Sequence, residues 1–199
     1  MASNIVTIPN LLTFLRMALI PVFASLLYYG YTGWGLLVFM AAGISDGIDG
    51  FVARRFNQES ELGTILDPIA DKLLMTTAFL ILTMPNIFPA PGKSVPFWVT
   101  AAVIGRDVLI VTVAAAINIM TGFHGFKPSY LGKLSTLVQV AAVGLILIAA
   151  VTGYSFHLPT TYFFVALLAF LSGVHYIFFV AKLMNQEKEA NLNPPDKIN

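Results

Sequence analysis

DGIDGFVARRFNQESELGTILDPIAD, residues 46–71, holds six of the ten acidic residues in a chain of 199. Asp46 and Asp49 stand three apart, and Asp67 and Asp71 four apart. On an α-helix either spacing puts both side chains on one face. The stretch therefore reads as the end of one helix and the start of the next. Each presents a carboxylate pair, and a short connection, which includes Glu59 and Glu61, turns the two faces together. Four carboxylates meeting at one depth cannot stay ionised without cations, because burying an unpaired charge costs several kcal/mol. Either protons or divalent cations must neutralise them. An all-oxygen set without His or Cys suits magnesium, manganese or calcium rather than zinc. Paired metals of this kind are the usual apparatus of in-line displacement at phosphorus.

Away from this stretch, charge is scarce. Charged residues make up 11% of the chain and hydrophobic residues 57%, against about 25% charged in a soluble domain. That composition excludes a disordered chain. A net charge of +1 with no basic stripe argues against nucleic acid as a partner. With no cysteine, disulfides, thiolate catalysis and Cys-zinc sites are excluded. Residues 17–45 and 73–92 carry no charge, 94–126 carry only Arg106 and Asp107, and 134–181 carry none apart from His157 and His175. A membrane-spanning helix needs roughly 20 apolar residues, so the longer runs must contain turns. Gly30, Gly33 and Gly35 break the first run, Gly153 to Pro159 the last, and Pro85, Pro89, Pro91 and Gly92 form a loop between.

The expected fold is therefore an all-α integral membrane bundle. Six transmembrane helices, near 11–29, 34–54, 66–84, 96–120, 131–151 and 160–183, surround an acidic metal site at the cytoplasmic boundary. Residues 1–185 form one membrane domain and 186–199 a polar, frayed tail. Arg16, close to the start of the first helix, is expected to snorkel to the interface. No basic segment precedes the apolar stretch, so no cleavable signal peptide is expected. In the six-helix arrangement Arg54, Arg55, Lys72, Lys127, Lys133, Lys182, Lys188 and Lys197 share one side, and Lys93 alone lies opposite. By the positive-inside rule the termini and the acidic stretch face the cytoplasm, in a bacterial inner membrane or its equivalent.

The residues between the aspartates sharpen the chemistry. Gly50 and Gly63 let a ligand or helix approach the backbone closely, Ala53 keeps the same face open, and Arg54 and Arg55 offer cationic forks to phosphate. The stretch resembles the signature of the CDP-alcohol phosphatidyltransferases, D-x2-D-G-x2-A-R-x8-G-x3-D-x3-D. Asp46, Asp49, Gly50, Ala53, Arg54, Gly63, Asp67 and Asp71 meet it without departure. At background frequencies eight such matches arise on the order of once in 10⁹–10¹⁰ start positions. The resemblance extends along nearly the whole chain, including Ile8-Pro9-Asn10-Leu11-Leu12-Thr13 and Arg16.

That resemblance implies transfer of a phosphatidyl group from CDP-diacylglycerol to an alcohol, with release of CMP. It implies Asp46, Asp49, Asp67 and Asp71 as ligands of a two-metal magnesium or manganese site, and Asp71 as general base on the acceptor hydroxyl. Gly50, Ala53, Arg54 and Gly63 would line the CDP site, and a homodimer is implied. Arg106 and Lys133 are the candidate acceptor-phosphate residues. Asn10, Thr13 and Arg16 resemble the branches that make phosphatidylglycerophosphate and cardiolipin. Phosphatidylglycerophosphate synthases usually carry an arginine-glutamate pair with a second arginine eight residues on; this chain has Arg106-Asp107 and Ala114. Lys127-Pro128-Ser129, Lys133, Thr136 and Gln139 are closer to eukaryotic-type cardiolipin synthases. Glycerol 3-phosphate is the expected acceptor and phosphatidylglycerol the alternative; a divalent-cation transporter is the remote one. Simpler roles stand beside these. Arg106-Asp107 could be a structural ion pair, Lys133 a juxtamembrane anchor, Asn10 and Thr13 helix caps, His124 and His157 loop residues, and Trp34 and Trp98 interface aromatics. His175, inside the last helix, could pair with a neighbouring helix.

Overall fold

Long apolar runs fold as helices in lipid because no water is present to satisfy backbone N–H and C=O groups. Six result: α1 (Ile8–Tyr28), α2 (Thr32–Phe56), α3 (Glu61–Thr83), α4 (Phe97–Thr121), α5 (Tyr130–Thr152) and α6 (Leu158–Leu192). They are seen in a computed structural model that describes residues 8–56, 61–88, 90, 92–121, 130–154 and 157–192. The side chains of 8–9, 46–56, 61–62, 64–65, 116–121 and 182–192 lie outside the described residues. Two of the expected breaks depend on glycine. Gly30 after α1 has φ +79° and Gly153 after α5 has φ +73°, a left-handed conformation that only glycine adopts without strain. Gly33 and Gly35 instead lie inside α2. A Cβ on Gly35 would come within 2.6 Å of Leu27 Cδ2, so this glycine permits the close approach of α1 and α2.

Three further features depart from the sequence expectation. First, α3 starts at Glu61 rather than near 66, so Glu61 belongs to the helix and not to the connection, and Pro68 lies within it. An acid in the first turn is favoured by the helix dipole, and a proline in a membrane helix is tolerated where neighbours re-satisfy the freed carbonyl. Second, α6 runs on to Leu192, past the expected helix end near 183, because Gln186, Glu187, Lys188, Glu189 and Ala190 are all good helix formers. Third, Arg16 does not snorkel: it is 1% exposed, on the α1 face turned toward α3. Asn10 and Thr13 are also buried, two turns and one turn before it respectively, inside α1 rather than capping it.

The chain is an integral, multi-pass membrane protein. Among the described residues, Asn10–Tyr28, Phe97–Ala115, Tyr130–Thr152 and Leu158–Ala181 are long and apolar enough to cross a bilayer. The apolar part of α2 is shorter, Thr32–Ser45, because the aspartates follow at once. Tyr28, Tyr29, Tyr31, Trp34, Phe97, Trp98 and Tyr154 are exposed where α1, α2, α4 and α5 start or end on one side, as expected of an interfacial aromatic belt.

Helix α1 packs on α2 and α3, α4 and α5 pack on α6, and α2 against α5 with α3 against α4 and α5 joins the two groups. The buried faces divide along the bundle axis. At the belt end they are apolar: Phe23 and Leu27 of α1, Phe79 and Leu82 of α3, Val99 of α4, Ile146 and Leu147 of α5, and Val165 of α6. A hydrogen-bonded loop seals this end. Lys93 Nζ donates to Ala149 O at 2.5 Å, and Tyr162 Oη donates to Lys93 O at 3.2 Å. Toward the other end the same faces turn polar, with Asn10, Thr13 and Arg16 on α1, Arg106 on α4, Ser135 and Gln139 on α5, and Ser172 on α6. This polar half holds the candidate site.

Candidate functional site

A cavity of about 700 Å³ opens in the polar half. Helices α4 and α5 follow one another in sequence yet scarcely touch. Both lean on α6 instead, which leaves a cleft between them. Asp71 and Lys72 enter the cavity from α3, Arg106 and Ile110 from α4, and Tyr176 from α6. Its α5 wall starts at Gly132 and Lys133 and continues two turns along the helix through Thr136 and Leu137 to Val140 and Ala141. One end is thus charged and the other aliphatic. Leu137 is 67% exposed, so the aliphatic wall continues onto the lipid-facing surface.

The charged end is rigidly built. Arg106 is buried, and its Nε and Nη2 donate to Ser172 Oγ at 3.2 and 2.8 Å. Its Nη1 donates to Asp107 Oδ1 at 2.7 Å and its Nη2 to Gly132 O at 3.5 Å. The second oxygen of Asp107 accepts from Lys72 Nζ at 2.7 Å. Asp107 therefore bridges a cation on α3 and a cation on α4. Charge-assisted bonds of this length are about twice as strong as neutral ones. Arg106 is consequently both a packing residue and a cavity-lining cation. Lys133 has no ion-pair partner among the described residues. Among the described residues, three cations, Lys72, Arg106 and Lys133, stand against two carboxylates, Asp71 and Asp107, so the described part of the cavity mouth is net positive.

On the other side of Asp71, one helical turn back along α3, Asp67 accepts a hydrogen bond from Thr13 Oγ1 of α1. The α1 polar face thereby fixes the orientation of that carboxylate. The backbone is helical across both aspartate pairs, α2 through Phe56 and α3 from Glu61, so each pair does share a helix face. The side chains of Asp46, Asp49 and Arg54, together with Gly50 and Ala53, lie outside the described residues, whereas Gly63 is buried in α3. Among the described residues no group of three or more His, Cys, Asp or Glu forms a metal cluster; two of the four expected ligands are beyond that description. The described pair supplies only hard oxygen donors, which fits magnesium or manganese.

The family model for CDP-alcohol phosphatidyltransferase matches residues 6–184. The chain belongs to this family. Among similar proteins, a cardiolipin synthase (CMP-forming)/mitochondrial hydrolase fusion protein of Schizosaccharomyces pombe is 32% identical over 87% of this chain and 31% of the relative. A cardiolipin synthase (CMP-forming) of Rattus norvegicus is 34% identical over 75% of this chain and 52% of the relative. A probable phosphatidylglycerophosphate synthase of Mycobacterium tuberculosis is 36% identical over 72% of this chain and 66% of the relative. The chain thus spans between about a third and two thirds of these proteins.

For a phosphatidyltransferase of this family, the structure brings three of the residues singled out in the sequence, Asp71, Arg106 and Lys133, to one cavity. Several partners were invisible in sequence. Ser172 lies 66 positions from Arg106, and Lys72 lies 35 from Asp107. Tyr176 lines the cavity one turn beyond Ser172. The only advance signal for Ser172 and Tyr176 was their polarity within an apolar span, which is costly and hence informative. His175, by contrast, is on the exposed side of α6. His124 and Lys127 lie outside the described residues, as do Glu59, Pro89 and Pro91.

Proposed function

We propose that the protein transfers the phosphatidyl group of CDP-diacylglycerol to phosphatidylglycerol, forming cardiolipin and CMP. The observation that carries this reading is the form of the cavity beside Asp71. Its basic mouth suits an acceptor phosphate, and its aliphatic wall, open toward lipid along α5, suits acyl chains. Glycerol 3-phosphate has no chains to occupy that wall. Two of the three relatives described above are cardiolipin synthases, which supports the same acceptor over glycerol 3-phosphate.

In this reading the acceptor glycerol hydroxyl attacks the phosphatidyl phosphorus. The bond from that phosphorus to the bridging oxygen breaks, and CMP leaves with the oxygen. Asp71 takes the hydroxyl proton, the general-base role for a carboxylate in hydrogen-bond reach of its substrate. Lys72, Arg106 and Lys133 hold the acceptor phosphate, Asp107 keeps the first two in place, and Gly50, Ala53, Arg54 and Gly63 hold the CDP group. Asp46, Asp49, Asp67 and Asp71 would hold one or two divalent cations, which when bound neutralise charge on the diphosphate. The protein works as a homodimer with this cavity facing the cytoplasm.

The deciding experiment supplies CDP-diacylglycerol and magnesium to the purified protein in liposomes, with either phosphatidylglycerol or glycerol 3-phosphate, and identifies products by mass spectrometry. Cardiolipin and CMP are expected with the lipid acceptor. Product from glycerol 3-phosphate alone would replace this acceptor assignment. Chelating divalent cations, or Asp71→Asn in a protein that still folds, is expected to abolish turnover. Full activity in excess chelator would overturn the metal-dependent mechanism.

A further inference from the structure

Tyr176 is the cavity residue that the reading above leaves without a task. It is 8% exposed, and its hydroxyl has no hydrogen-bond partner among the described residues. A buried hydroxyl without a partner costs about 1–3 kcal/mol, a cost that phenylalanine in the same place would avoid. The surrounding architecture shows which way this part of α6 is turned. Ser172, one turn earlier on the same face, accepts two bonds from the Arg106 guanidinium, and Arg106 and Tyr176 line the same cavity. Tyr176 thus lines a cavity that also holds Lys72, Arg106 and Lys133, and its buried hydroxyl has its donor unused. A phenolic O–H can also accept, but in a net-positive cavity an anionic oxygen is the partner it meets.

We propose that Tyr176 is an acceptor-binding residue, whose hydroxyl donates a hydrogen bond to a headgroup oxygen of the phosphate-bearing acceptor held between α4 and α5. The inference rests on the acceptor site assigned above and adds a specificity element to it. Arg106, midway along α4, and Lys133, near the start of α5, recognise charge, whereas Tyr176 reads position from α6. A lipid without the oxygen at that height leaves the hydroxyl unsatisfied and binds more weakly.

The test is Tyr176→Phe in the full-length protein in liposomes. It reads KM for phosphatidylglycerol, KM for CDP-diacylglycerol, kcat and the thermal midpoint. Loss of one hydrogen bond to a charged group is expected to raise KM for phosphatidylglycerol roughly tenfold. KM for CDP-diacylglycerol stays unchanged, and the midpoint is equal or higher because no protein partner is lost. A KM for phosphatidylglycerol within twofold of wild type would overturn the proposal. So would an equal rise in both KM values, or a lowered midpoint with unchanged KM. Failure of the acceptor assignment is visible separately, in the wild-type protein. Should glycerol 3-phosphate prove to be the acceptor, the same criteria apply to its KM: a tenfold rise supports the role of Tyr176, and a value within twofold overturns it.

Discussion

Asp107→Asn tests the internal geometry of the site most directly. Asp107 has a side chain 12% exposed and sits between Lys72 and Arg106 at 2.7 Å from each. The substitution preserves shape and removes the charge. A hydrogen bond to a charged partner contributes about 1.5–3 kcal/mol, which applies to buried Arg106. The Lys72 side chain is 36% exposed, so its bond is screened and is worth about 0.5–1 kcal/mol. The asparagine carbonyl still accepts from one cation, recovering about 1 kcal/mol. The net loss is about 2 kcal/mol, or a thermal midpoint about 4–8 °C lower in a domain of this size. The assay is thermal unfolding in detergent with Lys72→Met and the double variant alongside, because only a double-mutant cycle isolates the pair. The Lys72–Asp107 coupling is expected to be about 0.5–1 kcal/mol. On the proposed function, KM for the acceptor should rise while KM for CDP-diacylglycerol holds, because Lys72 and Arg106 line the cavity assigned there to the acceptor. A variant that melts within 1 °C of wild type, with unchanged KM for the acceptor, would refute the bridging role of Asp107.

Two further outcomes follow from other parts of the bundle. Thr13→Val removes the hydroxyl that orients Asp67; on the proposed function, in which Asp67 would hold a divalent cation, the magnesium concentration for half-activity should rise on the order of tenfold, read by titrating the metal into chelator-treated protein. Lys93→Ala removes the bond to Ala149 O at the opposite end of the molecule. It should lower the thermal midpoint by about 2–4 °C, the equivalent of about 1 kcal/mol, and leave both KM values unchanged.

Much of this was legible in advance, for specific reasons. The turns at Gly30 and Gly153 could be read because a long apolar run must stop somewhere and glycine permits the reversal. The start of α3 could not, because the residues from Glu61 to Leu66 have mixed propensity and only the continued helical backbone decides the boundary. Arg16 was misjudged for a different reason. A cation near a helix end in lipid snorkels by default, but here the α1 face that bears it, together with Asn10 and Thr13, is turned inward against α3. Whether a polar face points to lipid headgroups or to protein is a matter of helix rotation, about which one helix carries no information.

The sequence by itself determined the class of the protein, its six helices and the aspartate-rich stretch with its family signature, because these depend on local composition and on spacing within a single helix. The tertiary structure decided which distant groups meet. It set Asp107 between Lys72 and Arg106, gave Ser172 to Arg106, and opened a cleft between α4 and α5 that Tyr176 of α6 lines. These are properties of how helix faces pack, and packing is settled by shape and burial over the whole bundle at once rather than by any stretch of chain alone.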